Sequence, residues 1–273
     1  MPDDHDPLDA VDEVEEQLPG GKMTHVVRVG DTVRRPGRSW NGDVHQLLTH
    51  LRERDFTFAP QPFGFDEHGR EVLSYIPGNT SAAVPSWPGP IWSDELLMDV
   101  GRTVRAYHRA VTDFRPSEPA RWQFRPRALQ PGEIICHHDF AVYNAVFQGT
   151  KLVGMIDWDG AGPGTVQEEL AFLAWQWVPL GPPELKSKIG CDPGIDQIQR
   201  LRLLLDSYGY EDRSGLIAAV IDRIEVSRAG IEEHAEAGRP AWVALRAEGH
   251  TRDMELVIHY LEEKRHELQS AIE

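Results

Sequence analysis

The sequence reads as an α+β chain, with short strands gathered early and at the centre and long helices filling the end. Thr24–Val29 alternates into Asp31–Arg35 across Gly30-Asp31, and Phe63–Phe65 with Arg70–Ile76 repeats that pattern around the Asp66–Gly69 turn. Alternation bounded by turn residues marks antiparallel strands. Late in the chain Leu216, Val220, Ile221, Ile224 and Ile231 recur at helical spacing, the mark of a helix that buries one face.

The remaining elements follow in order. Residues 1–12 are polar, acidic and contain proline, which predicts a disordered tail. Val14–Leu18 runs into Pro19-Gly20-Gly21, a turn. Trp40–Arg54 predicts a helix with Val44, Leu47, Leu48 and Leu51 on one face. Pro77-Gly78 breaks the strand before it, and Ser81–Pro90 reads as a loop. Ser93 is a helix cap, with Asp94 and Glu95 favoured in the first turn by the helix dipole. The stripe behind it is Leu96, Leu97, Val100, Val104, Tyr107 and Val111. Glu133–Cys136 and Lys151–Ile156, bounded by Pro131-Gly132 and Gln148-Gly149-Thr150, read as a hairpin. Helices are expected over Glu168–Val178, Ile195–Tyr208, Gly215–Ala237 and Ala241–Ala271.

A length of 273 residues accommodates one large domain or two smaller ones, each with a real core. No apolar run reaches the ~18 residues of a membrane span. The acidic N-terminus lacks the parts of a signal peptide, which predicts a cytoplasmic protein. Cys136 and Cys191 are too few for a disulfide framework and lack metal spacing. A formal net charge of −16 argues against nucleic-acid binding, which needs a basic footprint. It would attract a cationic substrate. Much of the excess, however, sits in Pro2–Glu16, so that vote is weak.

The most specific stretch is Cys136-His137-His138-Asp139-Phe140-Ala141-Val142-Tyr143-Asn144, followed by Met155-Ile156-Asp157-Trp158-Asp159. A carboxylate and a carboxamide stand five residues apart, and a second carboxylate follows one apolar run. Phosphoryl transfer needs such a set: one Asp orients a hydroxyl, while Asn and a second Asp hold magnesium on nucleotide phosphates. The same residues admit a rival reading. His137, His138-Asp139 and Asp157 could form a metal phosphohydrolase cluster. That arrangement wants its His-Asp pair on a helix, and the β-branched, turn-bounded flanks here argue for strands.

The composite His137-x-Asp139-x-x-x-x-Asn144 with Ile156-Asp157-Trp158-Asp159 resembles the aminoglycoside phosphotransferase family, relatives of the protein kinases. The kinase counterparts are His-Arg-Asp-x-x-x-x-Asn and Asp-Phe-Gly. The resemblance implies a protein-kinase-like fold of two lobes. Residues 13–76 would form a small strand-rich nucleotide-binding lobe, and 77–273 a larger helical lobe for catalysis and acceptor binding. It implies Asp139 as catalytic base, His137 as brace of the loop, and Asn144 and Asp157 as magnesium ligands, with Asp159 touching substrate. It implies ATP or GTP as donor and a small-molecule hydroxyl as acceptor, an aminoglycoside or other cationic alcohol among the candidates. Gly20 and Gly21 would lie over the phosphates, Arg34 would steady them, and the backbone from Ser74 to Ile76 would meet the base.

Three departures from the family pattern stand out. His138 replaces the usual Gly. The first helix offers His45 where a Glu is usual, with Glu53 near its end. Glu169-Leu170-Ala171 stands for Asp-Leu-Ala. His138, the missing helix Glu and an Arg where kinase-like proteins carry the strand lysine keep a second possibility open, a kinase-like binding or regulatory module without phosphoryl transfer.

Overall fold

The computed structural model describes residues 14–18, 25–81, 89–117 and 119–273. Its first sheet has five antiparallel strands in the order β1-β2-β3-β5-β4. They are β1 (Glu15–Gln17), β2 (Val27–Val29), β3 (Thr32–Pro36), β4 (Pro62–Phe65) and β5 (Arg70–Ser74). Gly30 turns β2 into β3 at φ 59°, where a side chain would be strained. Because β3 pairs with β5 in the register Arg34↔Val72 and Arg35↔Glu71, these two arginines send their side chains to opposite faces. Helix α1 (Asn41–Glu53) lies between β3 and β4 and buries the expected Val44, Leu47, Leu48 and Leu51.

The centre of the chain forms two small sheets. Strand β6 (Asn79–Thr80) pairs with β8 (Ala145–Gln148), which turns back into β9 (Lys151–Met155). Strand β7 (Ile134–Cys136) pairs with β10 (Gly162–Gly164) instead of completing a hairpin with β9. The motif therefore occupies two loops strung between paired strands: residues 137–144 run from β7 to β8, and 156–161 from β9 to β10.

Helices supply the rest: α2 (Asp94–Val111), α3 (Val166–Trp177), α4 (Pro183–Lys188), α5 (Gln197–Tyr208), α6 (Leu216–Glu236), α7 (Pro240–Ala247) and α8 (His250–Ile272). Ser93 caps α2, its side chain accepting from the Leu96 N–H. The single helix expected over Ala241–Ala271 is two, because Gly249 adopts φ 87° and ends the first hydrogen-bonding run. Helix α4 was not expected; its six residues are too few to show a period. The acidic tail 1–12 and Gly20-Gly21 lie outside the described residues.

Large aromatic side chains fix the two loops from beneath. Tyr107, Phe140, Trp158 and Trp177 are all essentially inaccessible to solvent. The Tyr107 hydroxyl donates to the Ile135 carbonyl at 2.6 Å, Trp158 Nε1 to Met155 at 2.8 Å, and Trp177 Nε1 to Phe140 at 2.8 Å. Each buried polar tip is thereby satisfied by a backbone carbonyl in or just before a loop. Among the described residues no helix is long and apolar enough to cross a membrane.

Candidate active site

Asp139 sits half-buried at the centre of the first loop. Its carboxylate accepts from the Tyr143 hydroxyl at 3.0 Å and from Asn144 Nδ2 at 2.8 Å. Burial and then the neighbouring Asp157 charge push its pKa up to about 7, against the pull of Tyr143, Arg223 and Asn144. A carboxyl poised there can take a proton near neutral pH. Asn144 Nδ2 also donates to the Asp139 carbonyl at 2.8 Å. With its nitrogen so committed, Asn144 Oδ1 is left without a hydrogen-bond donor among the described residues.

His137 ties the two loops to each other. Its Nδ1 accepts from the Asp139 N–H at 3.3 Å, so its proton lies on Nε2, which donates to the Ile156 carbonyl at 3.1 Å. Burial lowers its pKa to about 4, which keeps the ring neutral. The ring packs on Trp158 with centroids 4.5 Å apart. In this geometry His137 ties the backbone of the first loop to that of the second.

His138 adopts φ 63°, the left-handed region that only glycine enters freely. That backbone angle is the physical reason a glycine suits this position, and this chain bears the strain with a buried imidazole instead. The strain is held in place by Glu169 from α3. Its carboxylate is 1 % exposed and accepts the N–H groups of His137 at 2.6 Å and His138 at 3.2 Å. The longer side chain at the Asp-Leu-Ala position thus keeps the bracing function. Burial raises the Glu169 pKa to about 7, opposed by those two amides.

Asp157 follows β9 with φ 60° and ψ 63°, and half of its side chain is exposed. Asp157 and Asn144 Oδ1 are oxygen donors, the chemistry a hard cation such as magnesium requires. They fit such an ion by type. Arg35 reaches this corner from β3: Nη1 lies 3.3 Å from Asp157 Oδ1, and Nη2 lies 2.7 Å from Asp159 Oδ1. Its Nε pairs with Glu71, whose other oxygen meets His45 Nε2 at 2.8 Å. Burial opposes the Arg35 charge, but Asp159 and Glu71 outweigh it and hold the guanidinium firmly protonated.

The sequence favours Arg34 to steady the nucleotide phosphates, whereas in the fold it is Arg35 that reaches Asp157 and Asp159. Arg34 turns to the other face of the sheet, where its nearest carboxylate is Asp66 at 3.7 Å. The usual helix Glu is not simply missing either, since Glu71 on β5 provides a carboxylate and α1 contributes His45. Asp159 meets Arg35 and so links the first sheet to the second loop. Ser74 is bound within the sheet, its N–H donating to Gln61 at 2.8 Å. Ile76, just beyond β5, has a backbone N–H and C=O with no partner among the described residues. Sequence reading did not single out Glu71, Tyr143 or Arg223 for the site, and nothing local marks them.

The fold defines a class, the kinase-like phosphotransferases. Residues 118–204 match the model of the phosphotransferase enzyme family. The chain is 34% identical over 256 residues to the trifolitoxin immunity protein of Rhizobium leguminosarum bv. trifolii, covering 89% of this chain and 94% of the relative. The chain belongs to the phosphotransferase enzyme family.

Solved structures agree in fold. A GDP complex of aminoglycoside 2'-phosphotransferase-IIIa superposes with a TM-score of 0.57 at 12% identity, covering 92% of this chain and 93% of that one. A choline/ethanolamine kinase family protein from Mesorhizobium loti gives 0.53 at 16% identity, covering 91% and 92%.

Proposed function

We propose that this protein transfers the terminal phosphoryl group of ATP or GTP to a hydroxyl of a small molecule. In this reading the nucleotide-binding lobe spans residues 13–76 and the catalytic lobe 77–273. The nucleotide lies between them, with the free backbone groups of Ile76 against the base. Arg35, held by Glu71, faces the phosphates. Asn144 Oδ1 and Asp157 hold magnesium, which when bound neutralises charge on the phosphates. Asp139 accepts the proton of the acceptor hydroxyl and aligns its oxygen for in-line attack, while Tyr143 and Asn144 fix the carboxylate.

The observation that carries this reading is the state of Asp139, a half-buried carboxyl held near pH 7 beside a carboxamide and a second acid. Asp139→Asn is expected to lower turnover about 10²–10⁴-fold, the usual loss for a general base. Wild-type turnover in that variant would remove Asp139 from the reaction. Asp157→Ala should abolish magnesium-dependent nucleotide binding, and unchanged affinity would discard it as a metal ligand.

The 34% identical relative carries the name of an immunity protein, which supports a protective role. The acceptor would then be a harmful molecule whose hydroxyl is masked by phosphate. One observation favours a second reading, a binding module without transfer: Arg35 already occupies an oxygen of Asp157. Thermal stabilisation by magnesium nucleotide without diphosphate release from any acceptor would decide for the module.

A further inference from the structure

Arg223 is the feature that the reaction scheme leaves unexplained. It projects from α6 and donates Nη2–H to the His138 carbonyl at 2.8 Å. Its guanidinium lies 4.6 Å above the Phe172 ring. Nη1 meets the Ser227 hydroxyl, while Nε is buried with no hydrogen-bond partner. No Asp or Glu forms an ion pair with it among the described residues. Its strongest attraction is to Asp139 across the site, and this does not offset what burial costs the charge. Asp139 and Glu169 both attract this cation without forming a contact ion pair, and a bound anion would supply the compensation that burial leaves wanting.

The surface running away from Arg223 is shaped to receive more than an ion. Ser227, Gly230 and His234 follow Arg223 on the same face of α6, and all are half-exposed. A side chain at Gly230 would meet nothing within 4 Å, so the helix face is open there. His234 packs against Trp242 of α7 at 4.6 Å, and Trp242 meets Phe124 at 6.5 Å. Phe124 remains 51% exposed. Its neighbour Arg125 returns to the catalytic loop, pairing with Glu168 at 2.9 Å and reaching the Pro163 carbonyl, which also meets His138 Nε2. Cation, open helix face and aromatic pair therefore follow one another along α6 and onto α7, starting from the residue that holds the His138 carbonyl.

We propose that this surface is the acceptor subsite and that it selects an alcohol bearing an anionic group near its hydroxyl and an aromatic or apolar body beyond. The anion meets the Arg223 guanidinium, and the body lies over Gly230 against Trp242 and Phe124. This deepens the phosphotransferase reading and rests on it. It also reverses the preference that a net charge of −16 would predict. Bulk charge acts over a screened distance, whereas an unpaired guanidinium at the site acts on contact.

The test uses the full chain and a matched pair, N-benzoyl-L-serine and its neutral amide, with N-benzoylethanolamine as a second neutral control. Calorimetry and Trp242-dependent fluorescence, the latter identified with Trp242→Phe, read binding; diphosphate release reads transfer. The acid is expected to bind at least about tenfold more tightly than the amide, the usual worth of one charge-assisted contact. Arg223→Gln should erase the ratio between the two and Arg223→Glu should invert it. Taking the ratio within each variant removes any general loss of folding. Equal affinities in the wild-type protein, binding of neither, or a ratio untouched by Arg223→Gln would overturn the proposal. Acid-selective binding with no diphosphate release from any hydroxyl would instead sustain the subsite and sink the phosphotransferase reading.

Discussion

Arg35 on β3 and Glu71 on β5 stand directly opposite each other in the sheet, and their buried ion pair is the anchor from which Arg35 reaches Asp157 and Asp159. Glu71 is 0% exposed and is shared with His45 of α1. One carboxylate therefore joins the first sheet, the first helix and the second site loop. A kinase-like site needs a cation whose position is set by a partner, and here a strand supplies that partner.

Removing that carboxylate should weaken the fold. Glu71→Gln leaves a buried guanidinium with less counter-charge and should lower unfolding free energy by about 3 kcal/mol at pH 7. Burial works to raise the Glu71 pKa, but His45 and Arg35 prevail and hold it below its ordinary 4.5. A depressed folded pKa gives stability that is present above the unfolded value and lost as pH falls through the folded one. Urea melts of the two proteins should thus converge in acid below pH 4.5, and equal midpoints at pH 7 would refute the role.

The two neighbouring arginines should separate in nucleotide binding. Arg35→Ala should raise the nucleotide Kd about 10–100-fold, the worth of charge-assisted contacts to phosphate. Arg34→Ala, on the other face, should change it by less than about threefold, in the range of a surface ion pair. Calorimetric titration of each variant is the check, and a larger effect at Arg34 would reverse the assignment.

Asp139 predicts opposite pH trends for rate and stability. As a base it must be ionised, so kcat/KM should fall in acid with an inflection at or below about pH 7, because magnesium on Asp157 would remove part of what raises the Asp139 pKa. Its folded pKa is raised above the ordinary 3.8, so its contribution to stability is fully present below that value and fades as pH rises through about 7. Metal-free Asp139→Asn should therefore be more stable than the parent at pH 8, by on the order of 1 kcal/mol, and should show no such gain at pH 4. A flat rate profile would disprove the assignment.

Glu169 should hold the strained loop. Glu169→Ala strands two buried amides and should cost about 2–4 kcal/mol, whereas Glu169→Gln keeps a carbonyl acceptor and most of the stability. Hydrogen exchange at the His137 and His138 amides reads the difference directly. Unchanged protection in the alanine variant would show that the loop is held elsewhere.

Much of this was legible from residue order. The Asp139–Asn144 interval, the run before Asp157 and the amphipathic stripes of α1 and α2 are local patterns, set by chemistry and by strand and helix periods. The break at Gly249 was missed because both flanking segments share one helical period. Glu71, Tyr143 and Arg223 carried no signal, since an acid on a strand, a tyrosine in a loop and an arginine on a long helix are common everywhere.

Residue order thus established the class of chemistry, because phosphoryl transfer needs a few polar groups at intervals that a single loop and hairpin can supply. Which arginine faces that loop and which glutamate holds it were settled by the folded chain. Those choices follow from strand register and helix packing between segments far apart in sequence. Arg34 and Arg35 are chemically identical, and only the pairing of β3 with β5 sends one to the acids and the other away.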